Sequence, residues 1–191
     1  MSRSRRDDLI DTALRLFHRH GYHATGVDRI LSEAGVSKPT LYRHFNSKEE
    51  LIVAALERWD HDSRAWLADE MARAGADPRA QVLELFAALA RWFDDVGFQG
   101  CLFINATVEF ADRDNPVHRT AADHKRRFAA FVRDKVAATG AVDAEEVTAR
   151  IMLLMEGAIV TAHTQGRSEA AGRAQLMARD VLDAAIARAA A

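Results

Sequence analysis

The sequence predicts an all-α chain, and three observations carry that prediction. The 191 residues include only three prolines and ten glycines. Those are the residue types that most disfavour helix interiors, while alanine, the strongest helix former, recurs throughout. Apolar side chains return at three- and four-residue intervals along most of the chain, the spacing of one helix face rather than of a strand. The gaps between these stretches carry helix start and stop signals, such as Asp77-Pro78, Asn115-Pro116 and the glycines at 35, 75 and 140. Together they divide the chain into nine helices: three in an N-terminal head, one long connector and five in a larger body.

The first helix is expected from Ser4 to His20. Leu9, Ile10, Ala13, Leu14 and Phe17 form its apolar face, and Asp7 and Asp8 lie near its positive end. Arg3, Arg5 and Arg6 beside its start read either as a phosphate-binding arm or as a solvated tail. Thr25 is placed to cap the second helix through its hydroxyl. Val27, Ile30, Leu31 and Ala34 give that helix its apolar face, and Gly35 stands where it must stop. Val36 plugs the corner, Ser37 caps the third helix, and Pro39 falls in its first turn, where a missing N–H is harmless. Leu41 and Phe45 face the core. Lys38, Thr40, Tyr42, Arg43 and His44 are left around the outward faces. Ser47 then caps the fourth helix, with Glu50 three residues on as in a capping box.

That fourth helix is expected to run from Lys48 to about residue 74, with Trp59 and Trp66 as core residues. Asp77 caps a fifth helix carrying Val82, Leu85, Phe86, Leu89, Trp92 and Phe93. The apolar run Cys101 to Ala111 is too short for periodicity to separate strand from helix, and its helical neighbours favour helix. Asn115 and Pro116 open the seventh helix, which carries Phe128, Phe131 and Val132. Asp143 caps the eighth, whose stretch Ile151 to Val160 is apolar nearly all round. A turn at Gln165-Gly166-Arg167-Ser168 leads to an alanine-rich last helix with Leu176, Met177, Val181, Leu182 and Ile186.

Charge is distributed without drama. The net charge is −2, and residues 1–50 hold nine Lys and Arg against seven Asp and Glu. The head is therefore slightly basic and the body slightly acidic, which by itself does not point to nucleic acid. No apolar run is long enough to cross a bilayer, and no membrane partner is expected. The N-terminal residues lack the apolar core of a secretory signal. A single cysteine, Cys101, allows no internal disulfide and suits a reducing compartment, so a cytoplasmic location is expected. Cys101 itself reads as a small buried hydrophobe beside Leu102 and Phe103, the alternative being a reactive thiol at a helix start that senses oxidants or electrophiles.

The stretch from Thr25 to Lys48 has the form of a helix-turn-helix whose second helix reads DNA. Gly35-Val36-Ser37-Lys38-Pro39-Thr40-Leu41-Tyr42-Arg43-His44-Phe45, followed by Ser47-Lys48-Glu49-Glu50-Leu51, resembles the TetR family of transcriptional regulators. Ala13, Phe17 and Gly21-Tyr22 in the preceding helix fit the same pattern. The resemblance covers roughly residues 5 to 55 and is specific there. It implies a DNA-binding head, residues 1–47, and an effector-binding and dimerisation body, residues 48–191, with the helix over residues 48–74 connecting them. It further implies a homodimer on the half-sites of a palindromic double-stranded operator, and repression relieved by a small molecule. Position by position, it implies DNA contacts from Lys38, Thr40, Tyr42 and His44, and phosphate contacts from Lys48 and Thr25. Arg43 is the residue best able to read guanine bidentately. One position departs from the pattern: Asp28 stands where many members carry a basic residue, and Arg29 follows it.

In the body, Asn105, Glu109, Glu156 and His163 are polar groups set among apolar neighbours. With Phe86, Trp92, Phe93, Phe103, Phe110, Phe128, Phe131, Met152 and Met155 they read as the lining of an effector pocket. Taken singly, each such aromatic is more simply a core residue. The apolar surface of the last two helices exceeds what one chain can cover. Gly157, Val160, Met177, Val181, Leu182 and Ile186 are therefore expected at a dimer interface, with Ala158, Ala178 and Ala185 allowing close approach. His18, His20 and His23 lack the spacing and companions of a metal site, and no cofactor is expected. No nucleophile motif, phosphate loop or dinucleotide fingerprint is present, so catalysis is not expected. The alternative class is a helical adaptor that binds protein and not DNA.

Overall fold

Helix caps set most of the boundaries. A computed structural model describes residues 4–166 and 169–189. Its helices are α1 (Arg5–His20), α2 (Val27–Ala34), α3 (Lys38–His44), α4 (Lys48–Ala72), α5 (Pro78–Phe93), α6 (Leu102–Glu109), α7 (Pro116–Ala138), α8 (Ala144–Gln165) and α9 (Ala170–Ala189). The described residues contain no strand. Ser4 caps α1 by accepting the Asp7 N–H at 3.1 Å, and Asp77 caps α5 by accepting that of Arg79 at 3.0 Å. Asp143 caps α8 from a left-handed conformation with φ 55°, unusual for a residue other than glycine. The apolar run after Cys101 is helical, as its neighbours suggested.

Three expected caps differ, one of them Ser37, which makes no side-chain cap bond to α3. Gly26, not Thr25, is the N-cap of α2, because the Thr25 hydroxyl turns inward and donates to the carbonyls of Gly21 (2.7 Å) and Leu16 (3.3 Å). Ser47 does cap α4 through the Glu50 N–H at 3.1 Å, but the Glu50 carboxylate closes on the Asn46 N–H at 2.7 Å, one residue earlier than a capping box requires. Arg3, and Arg167 and Ser168 of the last expected turn, lie outside the described residues.

Packing divides the chain into two units. One comprises the residues up to Ser63 together with Leu102–His124; the other comprises Arg64–Cys101 and Lys125–Ala191. Residues 48–63 of α4, all of α6 and the first part of α7 thus belong with the helix-turn-helix.

The first unit buries Leu9, Ile10, Leu16 and Phe17 of α1, Ile30 of α2, Leu41 of α3, and Leu51 and Ile52 of α4. Polar ties reinforce this core. Arg58 of α4 reaches Asp7 at 2.6 Å and Asp11 at 3.3 Å on α1, and Glu33 of α2 receives Arg15 at 2.8 Å and Arg29 at 3.1 Å. Asp60 and His124 form a buried pair at 2.6 Å, and Phe103 of α6 stacks on the His124 ring with centroids 3.5 Å apart.

In the second unit α5, α8 and α9 pack together around Val82, Leu85, Phe86, Ile151, Met155 and Ile159. The buried stripe of α9 is Ala171, Ala174, Ala178, Leu182 and Ala185, mostly small residues that admit close helix approach. Arg79 grips Asp183 through two hydrogen bonds of 2.6 and 2.8 Å, and Gln175 donates to the Leu83 carbonyl. Trp66, expected in the core, is 39% exposed.

Candidate nucleic-acid interface

Gly35 adopts φ 62°, ψ 37°, the left-handed geometry that ends α2 and turns the chain. The Val36 N–H bonds back to the Leu31 carbonyl at 3.1 Å, and the Val36 side chain is buried in the corner. Ser37 precedes α3 in extended conformation, but its hydroxyl pairs with that of Thr40 at 2.9 Å instead of capping a backbone N–H. Leu41 and Phe45, 1% and 2% exposed, anchor α3 to the core. At about 100° per residue, Arg43 then lies nearly opposite Leu41 and Tyr42 lies beside that outward line.

The outward residues match this construction. Lys38, Tyr42, Arg43 and His44 are exposed, Tyr42 at 49%, and Thr40 is half-buried. Among the described residues, the side chains of Lys38, Tyr42 and Arg43 make no hydrogen bond or ion pair. An ammonium, a phenol and a guanidinium thus stand together on one short helix, a donor set suited to phosphates and to the acceptor edges of guanine.

Lys48 is half-buried at the start of α4, its Nζ 3.4 Å from the His23 carbonyl oxygen. Burial lowers its pKa, and the Glu109 carboxylate partly offsets that effect. Thr25 is a correction: it is fully buried with its hydroxyl satisfied by backbone carbonyls, so it presents nothing to a phosphate. Arg29 is likewise engaged, between Glu33 and the His20 ring at 2.9 Å, and Asp28 stands exposed in the first turn of α2, where the helix dipole favours an acid. Arg6 lies over the Phe45 ring at 5.2 Å, and Arg5 pairs with Asp8 at 3.6 Å. The three histidines read against metal binding each have separate company: His18 near Trp59, His20 at Arg29, His23 at Glu109.

The residues expected around an effector are divided between the two units. Phe103, Asn105 and Glu109 belong to the first. Phe103 is committed to the His124 stack, and the Glu109 carboxylate accepts the backbone N–H groups of Tyr22 at 2.9 Å and His23 at 2.7 Å. Phe110 packs by its ring against Tyr22 and His23. Phe86, Trp92, Phe93, Phe128, Phe131, Met152, Met155, Glu156 and His163 belong to the second. There Trp92, Phe93, Phe98 and His163 form a chain of ring contacts, Lys135 lies over Phe131 at 5.9 Å, and Lys125 pairs with Glu156 at 3.3 Å. A concavity of about 390 Å³ opens beside the start of α8 and the end of α9, lined by Val142, Glu146, Val147, Arg150, Val181 and Arg188 among others. Cys101 is a free, buried thiol just before α6.

The residues expected at a dimer interface also separate. Gly157, Val160 (44%) and Met177 (57%) are exposed, as are Leu153 (72%) and Leu176 (56%), and Val181 and Ile186 are half-buried. Leu182, Ala178 and Ala185 are fully covered within the chain, because the inner face of α9 packs against its own unit, so they are not available to a partner.

An all-helical chain whose exposed third helix follows a glycine turn defines a helix-turn-helix DNA-binding protein. Residues 9–55 match the family described as bacterial regulatory proteins, tetR family, and residues 78–177 match the tetracyclin repressor-like C-terminal domain. The chain belongs to the TetR family of transcriptional regulators, which are DNA-binding proteins and not enzymes. Its structure resembles that of SCO4454, a TetR-family regulator from Streptomyces coelicolor, with TM-score 0.87 and 30% identity over 95% of this chain and 90% of that one. The regulator LmrA of Bacillus subtilis is 27% identical over 169 residues, 85% of this chain and 88% of its own length. The transcriptional activator FasR of Mycolicibacterium smegmatis is 54% identical over 54 residues, which is 28% of this chain but only 25% of FasR. No helix among the described residues is long and apolar enough to cross a membrane.

Proposed function

We propose that this regulator is a cytoplasmic homodimeric repressor that leaves a palindromic operator when a small molecule binds its body. The observation that carries the DNA half is α3: Leu41 and Phe45 fix its inner face while Lys38, Tyr42, Arg43 and His44 stand outward, with Lys48 at the next helix start. The exposed apolar residues Leu153, Val160, Leu176 and Met177 support pairing of two chains. Effector release rests on the family alone, and the lining residues named above are its candidates in the second unit.

The test is selection of bound fragments from the source genome, followed by affinity measurement on the recovered site. A repressor binds a two-fold symmetric fragment near a promoter and lowers transcription from it in vitro. Raised transcription from the bound template would make it an activator, the description FasR carries. Failure of every fragment to bind would instead favour a protein-binding adaptor. Linkage supplies the test for the effector: a compound that weakens operator binding must itself bind more weakly, by the same factor, when operator is present.

A further inference from the structure

Glu109 ends α6, an eight-residue helix. A carboxylate there faces the negative end of the helix dipole and is disfavoured by it. Its contacts account for the placement. Oε1 accepts the N–H of Tyr22 at 2.9 Å and Oε2 accepts the N–H of His23 at 2.7 Å. The His23 ring donates through Nε2 to the Glu109 carbonyl at 2.9 Å, one of the carbonyls that a helix end leaves without an internal partner. At the other end of α6 the buried Tyr22 hydroxyl donates to the Leu102 carbonyl at 2.9 Å. Two consecutive residues of the turn between α1 and α2 are therefore held at both ends of α6.

The turn is shaped to receive this carboxylate. Gly21 has φ +82°, and a Cβ there would sit 2.9 Å from Glu109 Oε1, so any other side chain would be strained and would push the carboxylate away. Lys48 reaches the carbonyl of His23, and the charge of Glu109 acts on its ammonium. Beyond His23 the chain passes through buried Thr25 directly to Gly26, the N-cap of α2. What fixes Tyr22 and His23 thus fixes the start of the helix-turn-helix and the setting of Lys48 together.

We propose that Glu109 is a positioning residue for sequence-specific DNA recognition, holding the α1–α2 turn on α6 so that α3 meets the base edges of the duplex in one fixed relation. The proposal rests on the DNA-binding reading of α3. Its test uses the full chain carrying E109Q or E109D. Glutamine keeps one acceptor but aims an N–H donor at a backbone N–H. Aspartate keeps the charge but draws it back by one methylene, out of reach of both amides. Affinities are measured for a fragment selected with the wild type and for a random duplex, across a salt series, with a thermal melt of each variant.

Specific affinity is expected to fall on the order of tenfold in both variants, the scale of a lost hydrogen bond to a charged group. Random-duplex affinity is expected to stay level in E109D and to stay level or rise in E109Q, which removes a negative charge near the phosphates. Wild-type specific affinity in both variants would overturn the proposal. A parallel fall in specific and random binding would also overturn it, since that marks general loss of structure. If E109Q does not fold, E109D carries the same test. A wild type for which no fragment can be selected would remove the DNA-binding reading itself, a result distinct from either.

Discussion

Lys48 and Tyr42 are both proposed DNA contacts, and their surroundings suit them to different work. Lys48 is a half-buried charge held near a carbonyl at a helix start, a setting suited to a phosphate and blind to base identity. Lys48→Ala should weaken binding to all sequences alike and reduce the slope of log affinity against log salt by about one unit per subunit contact. Tyr42 and His44 are exposed on α3. Tyr42→Ala and His44→Ala should cost about 1–3 kcal/mol on the selected site for each base contact removed and little on a random duplex. Salt titrations of both duplexes check the contrast, and unchanged operator binding in all three variants would sink the assignment of α3. These exposures were legible in the sequence, because helical spacing from Leu41 and Phe45 settles which side chains turn outward. Thr25 and Glu109 were not legible. A threonine before a helix can cap it or bond backward, and only the positions of Gly21 and Leu16 decide. Glu109 takes its partners 86 and 87 residues away, beyond any local pattern.

The elements themselves followed from caps and periodicity, but some ends moved: α2 starts after Gly26 because Thr25 chose another partner, and α4 and α6 stop at Ala72 and Glu109, short of the expected residues. What the pattern cannot show is which helix each polar face meets. Arg58 is an instance: nothing in α4 announces that it will clasp Asp7 and Asp11 of α1. Hydrogen bonds from Ser4 and then from Arg58 hold the Asp7 carboxyl below its ordinary pKa. A depressed carboxylate adds stability above its unfolded pKa and loses it as pH falls through the lower folded value. The head should therefore lose part of its stability below about pH 4, near the ordinary aspartate range. The loss should be small, because these groups are partly exposed and screened by solvent. Arg58→Ala should melt lower than wild type near neutral pH, and the gap should narrow as the carboxylates protonate. Thermal melts between about pH 2.5 and pH 7 measure it. A gap that stays constant or widens toward acid would show that the pair contributes nothing to the joint between α1 and α4.

At the scale of the whole molecule, the question is which apolar side chains remain for a partner once the chain has covered its own core. The sequence could not divide them, because an alanine-rich helix offers small apolar residues on every side. The fold divides them. Ala171, Ala174, Ala178, Leu182 and Ala185 of α9 turn inward, whereas Leu153, Gly157 and Val160 of α8 and Leu176 and Met177 of α9 stay exposed. Residues 153, 157 and 160 follow helical spacing, so they form one stripe, with a glycine at its centre that permits close approach of a second helix. If that stripe is where two chains meet, Val160→Arg and Met177→Arg should each give monomers that melt much like an isolated wild-type chain, since neither side chain supports the core. Their operator affinity should drop by about a hundredfold or more, because the second half-site is no longer engaged at the high effective concentration of a dimer. Binding to a single half-site should persist. Leu182→Arg should behave otherwise: a charge forced into a fully covered site destabilises the fold by on the order of several kcal/mol whatever the state of assembly. Light scattering at several protein concentrations, paired with thermal melts, separates the two classes. A wild type that is monomeric throughout, or a Val160→Arg variant that remains a dimer with full operator affinity, would move the interface away from α8 and α9.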